Sequence, residues 1–150
     1  MKIVLQRVVK ASVSTGSTIV GEIGKGALVL LGVEHEDTKE DADWLVKKIT
    51  GMRIFSDTDG KMNLSAKEIN GEFLIISQFT LHASTKKGNR PSYIKAARPE
   101  VAIPLYEYFI EQLKIASQAK VATGEFGADM QVSLINDGPV TIVVDSRERK

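Results

Sequence analysis

Cysteine is missing from all 150 residues. That excludes disulfides, thiolate nucleophiles and cysteine-ligated zinc or iron–sulfur sites, and it suits a reducing cytoplasm. Histidine is almost as scarce: His35 and His82 are the only two, too few for a histidine-rich metal site within one chain. No apolar run approaches the about 18 residues that a membrane-crossing helix needs, and residues 1–7 hold too many polar side chains for a signal peptide. The expected location is cytoplasmic, with no membrane partner, no metal and no cofactor. One further absence is local. Residues 75–99 contain no Asp or Glu, yet Lys86, Lys87, Arg90, Lys95 and Arg98 fall among them, an asymmetry that the net charge of +1 conceals.

What the chain does have is the profile of an ordinary globular protein, 43% apolar and 26% charged. Its length fits one domain, residues 1–150, with a core that needs no staples. Residues 2–14 read as a long strand with a bend or bulge, 18–23 as its hairpin partner across a Thr15-Gly16-Ser17 turn, and 27–33 as a central strand covered on both faces. Thr38 and Asp41 fit a capping box, and Ala42, Leu45, Val46, Ile49 and Met52 trace one face of a first helix. Residues 52–55 resemble a short strand, 56–60 a turn, and Asn70-Gly71 a hairpin signal. A second helix has Pro99 in its first turn and a stripe of Ala102, Leu105, Tyr106, Phe109, Leu113 and Ile115 or Ala116. Pro104 inside it should bend the first turns or delay the start. Three strands follow, at 120–123, 130–134 and 140–144, then a charged tail at 146–150 expected to fray. The pattern predicts a single α+β domain with a mainly antiparallel, barrel-like sheet and two main helices packed on it.

The chemistry centres on residues 72–81. Residues 73–76 with the later Phe79 are apolar enough for a buried strand, and Ser77, Gln78 and Thr80 arrive at its far end. An unpaired buried polar group costs roughly 1–3 kcal/mol, so these groups are either satisfied internally or face a ligand. A Ser–His–acid triad would need Ser77 or Thr80 beside His82, and no acid lies near in sequence. His82 itself reads as a loop histidine or one polarised by the basic segment. Glu34, Glu36 and Asp37 are better explained as acids at a helix start than as a cation site. Asp57 and Asp59 lack the later acid of a calcium loop. The basic segment 82–98, with Tyr93, fits either a phosphate backbone or a solvated loop. Two function classes are open on these residues: a non-catalytic RNA-binding domain, and a small-ester hydrolase with a Thr or Ser nucleophile.

Ser77-Gln78-Phe79-Thr80-Leu81, taken with Asn136-Asp137-Gly138-Pro139-Val140-Thr141, resembles the D-aminoacyl-tRNA deacylase family, whose two signatures are S-Q-F-T-L and N-x-G-P-x-T. Residues 1–8 with Arg7, 52–55, 87–93 and 126–130 extend the resemblance over the whole chain. It implies a homodimer with active sites at the interface, in which Gly138-Pro139 forms a cis peptide inserted into the partner's pocket. Its carbonyls would hold the substrate's amino group and exclude an L side chain, so that D-aminoacyl or glycyl esters alone fit. The implied reaction is hydrolysis of the aminoacyl ester of tRNA. Ser77, Gln78, Phe79 and Thr80 form the catalytic wall, backbone N–H groups near Phe79 and Thr80 stabilise the oxyanion, and the ribose 2′-hydroxyl assists. Phe126 and Met130 would belong to the adenosine pocket, Arg7 would brace the Gly–Pro turn, Asn136 and Thr141 would complete the substrate-binding set with Gly138 and Pro139, and the basic loop would meet the tRNA acceptor arm.

Overall fold

β1 (Lys2–Thr15) turns at Gly16 into β2 (Thr18–Ile23), and β3 (Gly26–Gly32) returns antiparallel to the first half of β1. The computed structural model describes residues 1–149. From β3 the chain passes through α1 (Lys39–Gly51) and a small ribbon of β4 (Phe55–Ser56) and β5 (Met62–Leu64). It then enters β6 (Glu72–Ser77), which lies parallel to β3. α2 (Pro99–Ser117) carries it to β7 (Val121–Thr123), parallel to β6, and β8 (Gln131–Asp145) closes along the free edge of β1.

The sheet is mainly antiparallel, as expected, but mixed, because two of its pairings are parallel. All three pairings of β1 are antiparallel, while β3–β6 and β6–β7 are parallel. Parallel neighbours need a long crossover, and here each crossover contains one of the two helices. Asn70-Gly71 consequently makes no hairpin. Asn70 adopts a left-handed φ of 54° and Gly71 donates to the Ala66 carbonyl, but the strand that follows pairs with β3 and β7. The parallel fit of β3 against β6 begins at Gly26, where a Cβ would fall 1.8 Å from the Glu72 carbonyl oxygen. At the other side β2 swings toward β7: a Cβ on Gly21 would meet the Thr123 carbonyl oxygen at 2.6 Å. The sheet is thus nearly closed into a barrel.

Two cores lie on its two faces. Ile3, Leu5, Ala27, Val29, Leu31, Phe73 and Ile75 pack against Leu45, Ile49, Phe109 and Leu113 of the helices. Val8, Ala11, Val13, Leu28, Leu74 and Ile76 fill the barrel interior. Alternate residues of β3 and β6 serve opposite cores, which is why both read as unbroken apolar runs. In β1 the inward set switches from Val8 to Ala11 and Val13. The extra residue is Val9, since Val8 pairs with Asn136 and Lys10 with Ile135. One bulged residue turns the rest of a strand over.

Other expectations shift at their edges. The short strand at 52–55 is displaced to Phe55–Ser56. Asp57 shapes the turn after it: the N–H groups of Lys61 and Asp59 hold its carboxyl below the usual range. Thr38 caps α1, its N–H donating to the Asp41 carboxylate at 2.9 Å. α2 starts at Pro99 without delay and runs through Pro104; Ile115 points outward, while Ala116 packs on the core. The strands expected at 130–134 and 140–144 are one continuous β8. The tail does not fray over 146–149. Ser146 is buried, accepts from the Met1 ammonium and donates to Asp41 at 2.7 Å. Arg147 bridges Glu34, Glu36 and Asp37, and Arg149 lies over Trp44. The acids at residues 34–41 are the partners that this tail needs; Lys150 lies outside the described residues.

Phe109 is fully buried between α2 and the sheet, whereas Ile115 on the same helix is 63% exposed. Phe109→Ala should lower unfolding free energy by about 3–5 kcal/mol and Ile115→Ala by about 0.5 kcal/mol or less, measured by urea denaturation.

Candidate active site

β6 ends at Ser77, where the sheet stops being covered by both cores. The Gln78 N–H still donates to the Leu31 carbonyl of β3 at 2.8 Å, and the chain then tightens into a single 3-10 turn, Phe79–His82. Phe79 is therefore not the continuation of the buried strand that its hydrophobicity suggested. It is 56% exposed, with the ring of Tyr93 edge-on at 5.1 Å. Leading N–H groups of a helical turn have no acceptor within that turn, and Phe79 and Thr80 hold those positions.

Beside this turn opens a cavity of ≈ 280 Å³ lined by Ser77, Gln78 and Phe79 on one side and by Phe126, Asp129 and Met130 on the other. It is about the size of the smallest ligand pockets, which run from roughly 300 Å³ upward. Tyr106 contributes a wall that the sequence reading assigned only to the helical stripe. Its ring tilts against Phe126 at 5.5 Å and its hydroxyl donates to the Ile75 carbonyl at 3.3 Å. Burial pushes the phenol up to about 12, so it stays neutral. Helical periodicity marks such a residue as inward-facing and carries no signal that one edge reaches a cavity. Asp129 stood inside a recognised segment, but its position at the mouth required the fold.

Thr80 does not line this cavity. Its hydroxyl accepts a 2.5 Å hydrogen bond from the Gln78 side-chain amide, which has no basic function. His82 offers no base to it either. The ring is buried, a correction to the loop reading, and it faces an acid rather than the basic segment. Nδ1 lies 3.3 Å from Glu34 Oε1, and buried Nε2 has no hydrogen-bond partner. The acid that sequence proximity did not supply comes from the end of β3, yet neither Ser77 nor Thr80 completes a triad. The basic loop is pinned at its root by reciprocal backbone bonds between Ser84 and Ser92, at 2.7 and 2.9 Å, and holds Lys86, Lys87 and Arg90 in solvent.

The remaining candidates form a second cluster. Between the pairs Gln6–Thr141 and Val8–Asn136, β1 contributes only Arg7 while β8 contributes residues 137–140, which buckle outward. Arg7 is buried and fills the gap from below. Its Nη1 donates to the Ile54 carbonyl at 2.7 Å and its Nε to the Asp137 carbonyl at 3.1 Å. Asn136 closes the base, donating to the Arg7 and Val140 carbonyls at 2.9 and 3.0 Å, and Thr141 donates to Asn136 at 3.3 Å. At the crest the Gly138-Pro139 peptide is cis and both residues are exposed. Gly138 has φ +123°, and a Cβ there would stand 2.8 Å from Arg7 Nη2. Glycine is thus required at the crest. None of Arg7, Asn136, Gly138, Pro139 or Thr141 lines the cavity beside Ser77.

A family model described as D-Tyr-tRNA(Tyr) deacylase matches residues 4–145. The chain belongs to that family. Two of its curated relatives, both called D-aminoacyl-tRNA deacylase, are similar over the full length of both chains: 61% identical in Akkermansia muciniphila and 59% in Flavobacterium psychrophilum. A solved structure described as c-Myc DNA Unwinding Element Binding Protein superposes with a TM-score of 0.91 at 42% identity, covering 97% of this chain and 98% of that one. A probable eukaryotic D-amino acid tRNA deacylase shares the fold at 17% identity, with a TM-score of 0.83 over 95% of this chain and 97% of that one. Membership of the deacylase family makes the chain an enzyme and a hydrolase.

Asn136→Ala would strip the bonds that hold the base of the outward buckle, and should cost about 1–3 kcal/mol of stability, read as a shift in the urea midpoint. Gly138→Ala should disturb the same segment through backbone conformation and the contact with Arg7, visible as changed amide resonances for residues 136–141.

Proposed function

We propose that residues 1–150 work as one deacylase domain that hydrolyses D-aminoacyl-tRNA, and glycyl-tRNA where no side chain intervenes, inside a homodimer. The observation that carries the reading is a nucleoside-sized cavity walled by Ser77, Gln78 and Phe79 opposite Phe126 and Met130, with no hydrogen-bonded nucleophile–base pair beside it among the described residues. An aminoacyl ester needs a water nucleophile and stabilisation of the oxyanion more than it needs a triad. Water adds to the ester carbonyl, the N–H groups of Phe79 and Thr80 stabilise the tetrahedral oxyanion, and the bond to the ribose oxygen breaks. The proton released by the attacking water passes to the departing ribose oxygen with help from the neighbouring 2′-hydroxyl, leaving a free D-amino acid and an uncharged tRNA.

Phe126 and Met130 form the adenosine side of the cavity. Chiral selection is assigned to the exposed Gly138-Pro139 crest of a second copy, seated over the first copy's cavity. That arrangement is favoured by the separation of the two clusters within one chain: the crest has carbonyls and no pocket, the cavity has a pocket and no selector. Main-chain carbonyls that hold the amino group exclude an L side chain by contact, and do so for many side chains alike. The pinned basic loop and Tyr93 meet the phosphates of the acceptor arm. Such an enzyme acts in translation quality control, in the cytoplasm, as a chiral proofreader.

The deciding assay offers D-tyrosyl-tRNA and L-tyrosyl-tRNA separately and follows ester loss. The D ester should be hydrolysed and the L ester spared; equal hydrolysis of both, or of neither, refutes the reading. A second assay addresses the chemistry. Because the Thr80 hydroxyl is bound to an amide and lies off the cavity, Thr80→Ala should retain activity within about tenfold of the parent. Complete loss in a folded variant that still binds tRNA would make Thr80 the nucleophile.

A further inference from the structure

Phe79 and Thr80 lie between two anchors on the same strand end, and the second anchor has no place in the mechanism above. The first is the Gln78 N–H bond to the Leu31 carbonyl. The second is the buried His82, whose Nδ1 stands 3.3 Å from Glu34 Oε1. Leu31 and Glu34 are separated only by Gly32 and Val33, so both ends of the turn are tied to one short piece of chain. Glu34 is itself fixed, with Oε2 3.0 Å from Arg147 Nε, and Arg147 in turn reaches Glu36 and Asp37. The space between the anchors is full: a Cβ on Gly32 would lie 3.0 Å both from the Gln78 carbonyl oxygen and from His82 Cδ2.

Packing does not explain why this position is a histidine. Among the described residues, His82 Nε2 is the only buried side-chain nitrogen or oxygen left without a partner, and an unpaired buried group is destabilising. An apolar ring would fill the same space without that cost. What histidine adds is Nδ1, 3.3 Å from Glu34 Oε1 and within ion-pair reach of it. A ring proton carried on Nδ1 meets that carboxylate.

The geometry points to His82 as a positioning residue: with Glu34 steadied by Arg147, it fixes the far end of the turn. That holds Phe79 in the cavity wall and the Thr80 N–H directly behind it in the chain. The kinetic consequence rests on the deacylase reading; the conformational one does not. Preorganised donors act on the transition state more than on the bound substrate, so loosening them should lower kcat and leave KM alone.

The test compares His82→Phe, His82→Asn and Glu34→Leu in the full-length protein, by steady-state kinetics on D-tyrosyl-tRNA and by amide hydrogen exchange. His82→Phe should lower kcat by about tenfold or more with KM little changed, and speed exchange by about tenfold at Leu81 and Ala83, whose N–H groups are bonded to the Gln78 and Thr80 carbonyls. His82→Asn, whose side-chain nitrogen can stand where Nδ1 does, should restore most of both. Wild-type kcat and unaltered exchange in folded His82→Phe overturn the proposal, and so does a lower Tm with wild-type kcat, which would leave His82 a core residue only. Should His82→Phe fail to fold, Glu34→Leu keeps the ring and decides in the same two readouts. If the parent protein proves inactive on D-tyrosyl-tRNA, exchange at Leu81 and Ala83 still decides the positioning role by itself.

Discussion

β1 is hydrogen-bonded along both edges, to β8 on one side and to β3 and then β2 on the other, so each irregularity in it is imposed on three strands. Two irregularities occur within four residues. At Arg7 the ladder to β8 opens and the guanidinium takes over hydrogen bonding that the missing pairs would have made. At Val9 an extra residue reverses the strand's faces and directs Ala11 and Val13 into the barrel. A regular β1 would give neither an outward crest at Gly138 nor a second core. The position of the Gly138-Pro139 crest and the closure of the sheet are thus consequences of one strand's refusal to stay in register.

The site follows a similar logic of main chain over side chain. β3 and β6 are buried on both faces until Ser77, and the turn that follows is clamped at Gln78 and His82. Side chains there hold backbone in place: Gln78 occupies the Thr80 hydroxyl, Asn136 ties two carbonyls together, and Arg7 props Asp137. Enzymes that act through oriented backbone dipoles can dispense with a reactive side chain, provided that the backbone is held rigidly. The signature residues of this chain are suited to that task.

Much of this was legible in the residues. The helix stripes, the capping of α1 and the bent first strand follow from local periodicity, and the two signature segments carried the family. Partner choice between strands was not legible, because unbroken apolar runs suit either direction of pairing; the parallel β3–β6–β7 arrangement emerges only once the helices are placed as crossovers. Asn70-Gly71 has the chemistry of a hairpin turn without the neighbouring strand to use it. His82 looked like part of the basic loop by adjacency, although its partner Glu34 lies far back in the chain. The tail misled for the same reason, since its cations are satisfied by acids at residues 34–41 that only the fold brings near.

The pairing of β1 with β8 joins the two ends of the sequence. During synthesis β2 and β3 can zip onto one edge of β1 soon after they emerge, but its other edge waits until β8 has left the ribosome. Through that interval the nascent chain carries a long open edge bearing Val4, Val9 and Val13, a surface prone to unwanted strand addition. Completion of the barrel, the buckle at Arg7 and burial of Ser146 therefore fall together in time. Fidelity in making this fold is decided when β8 arrives.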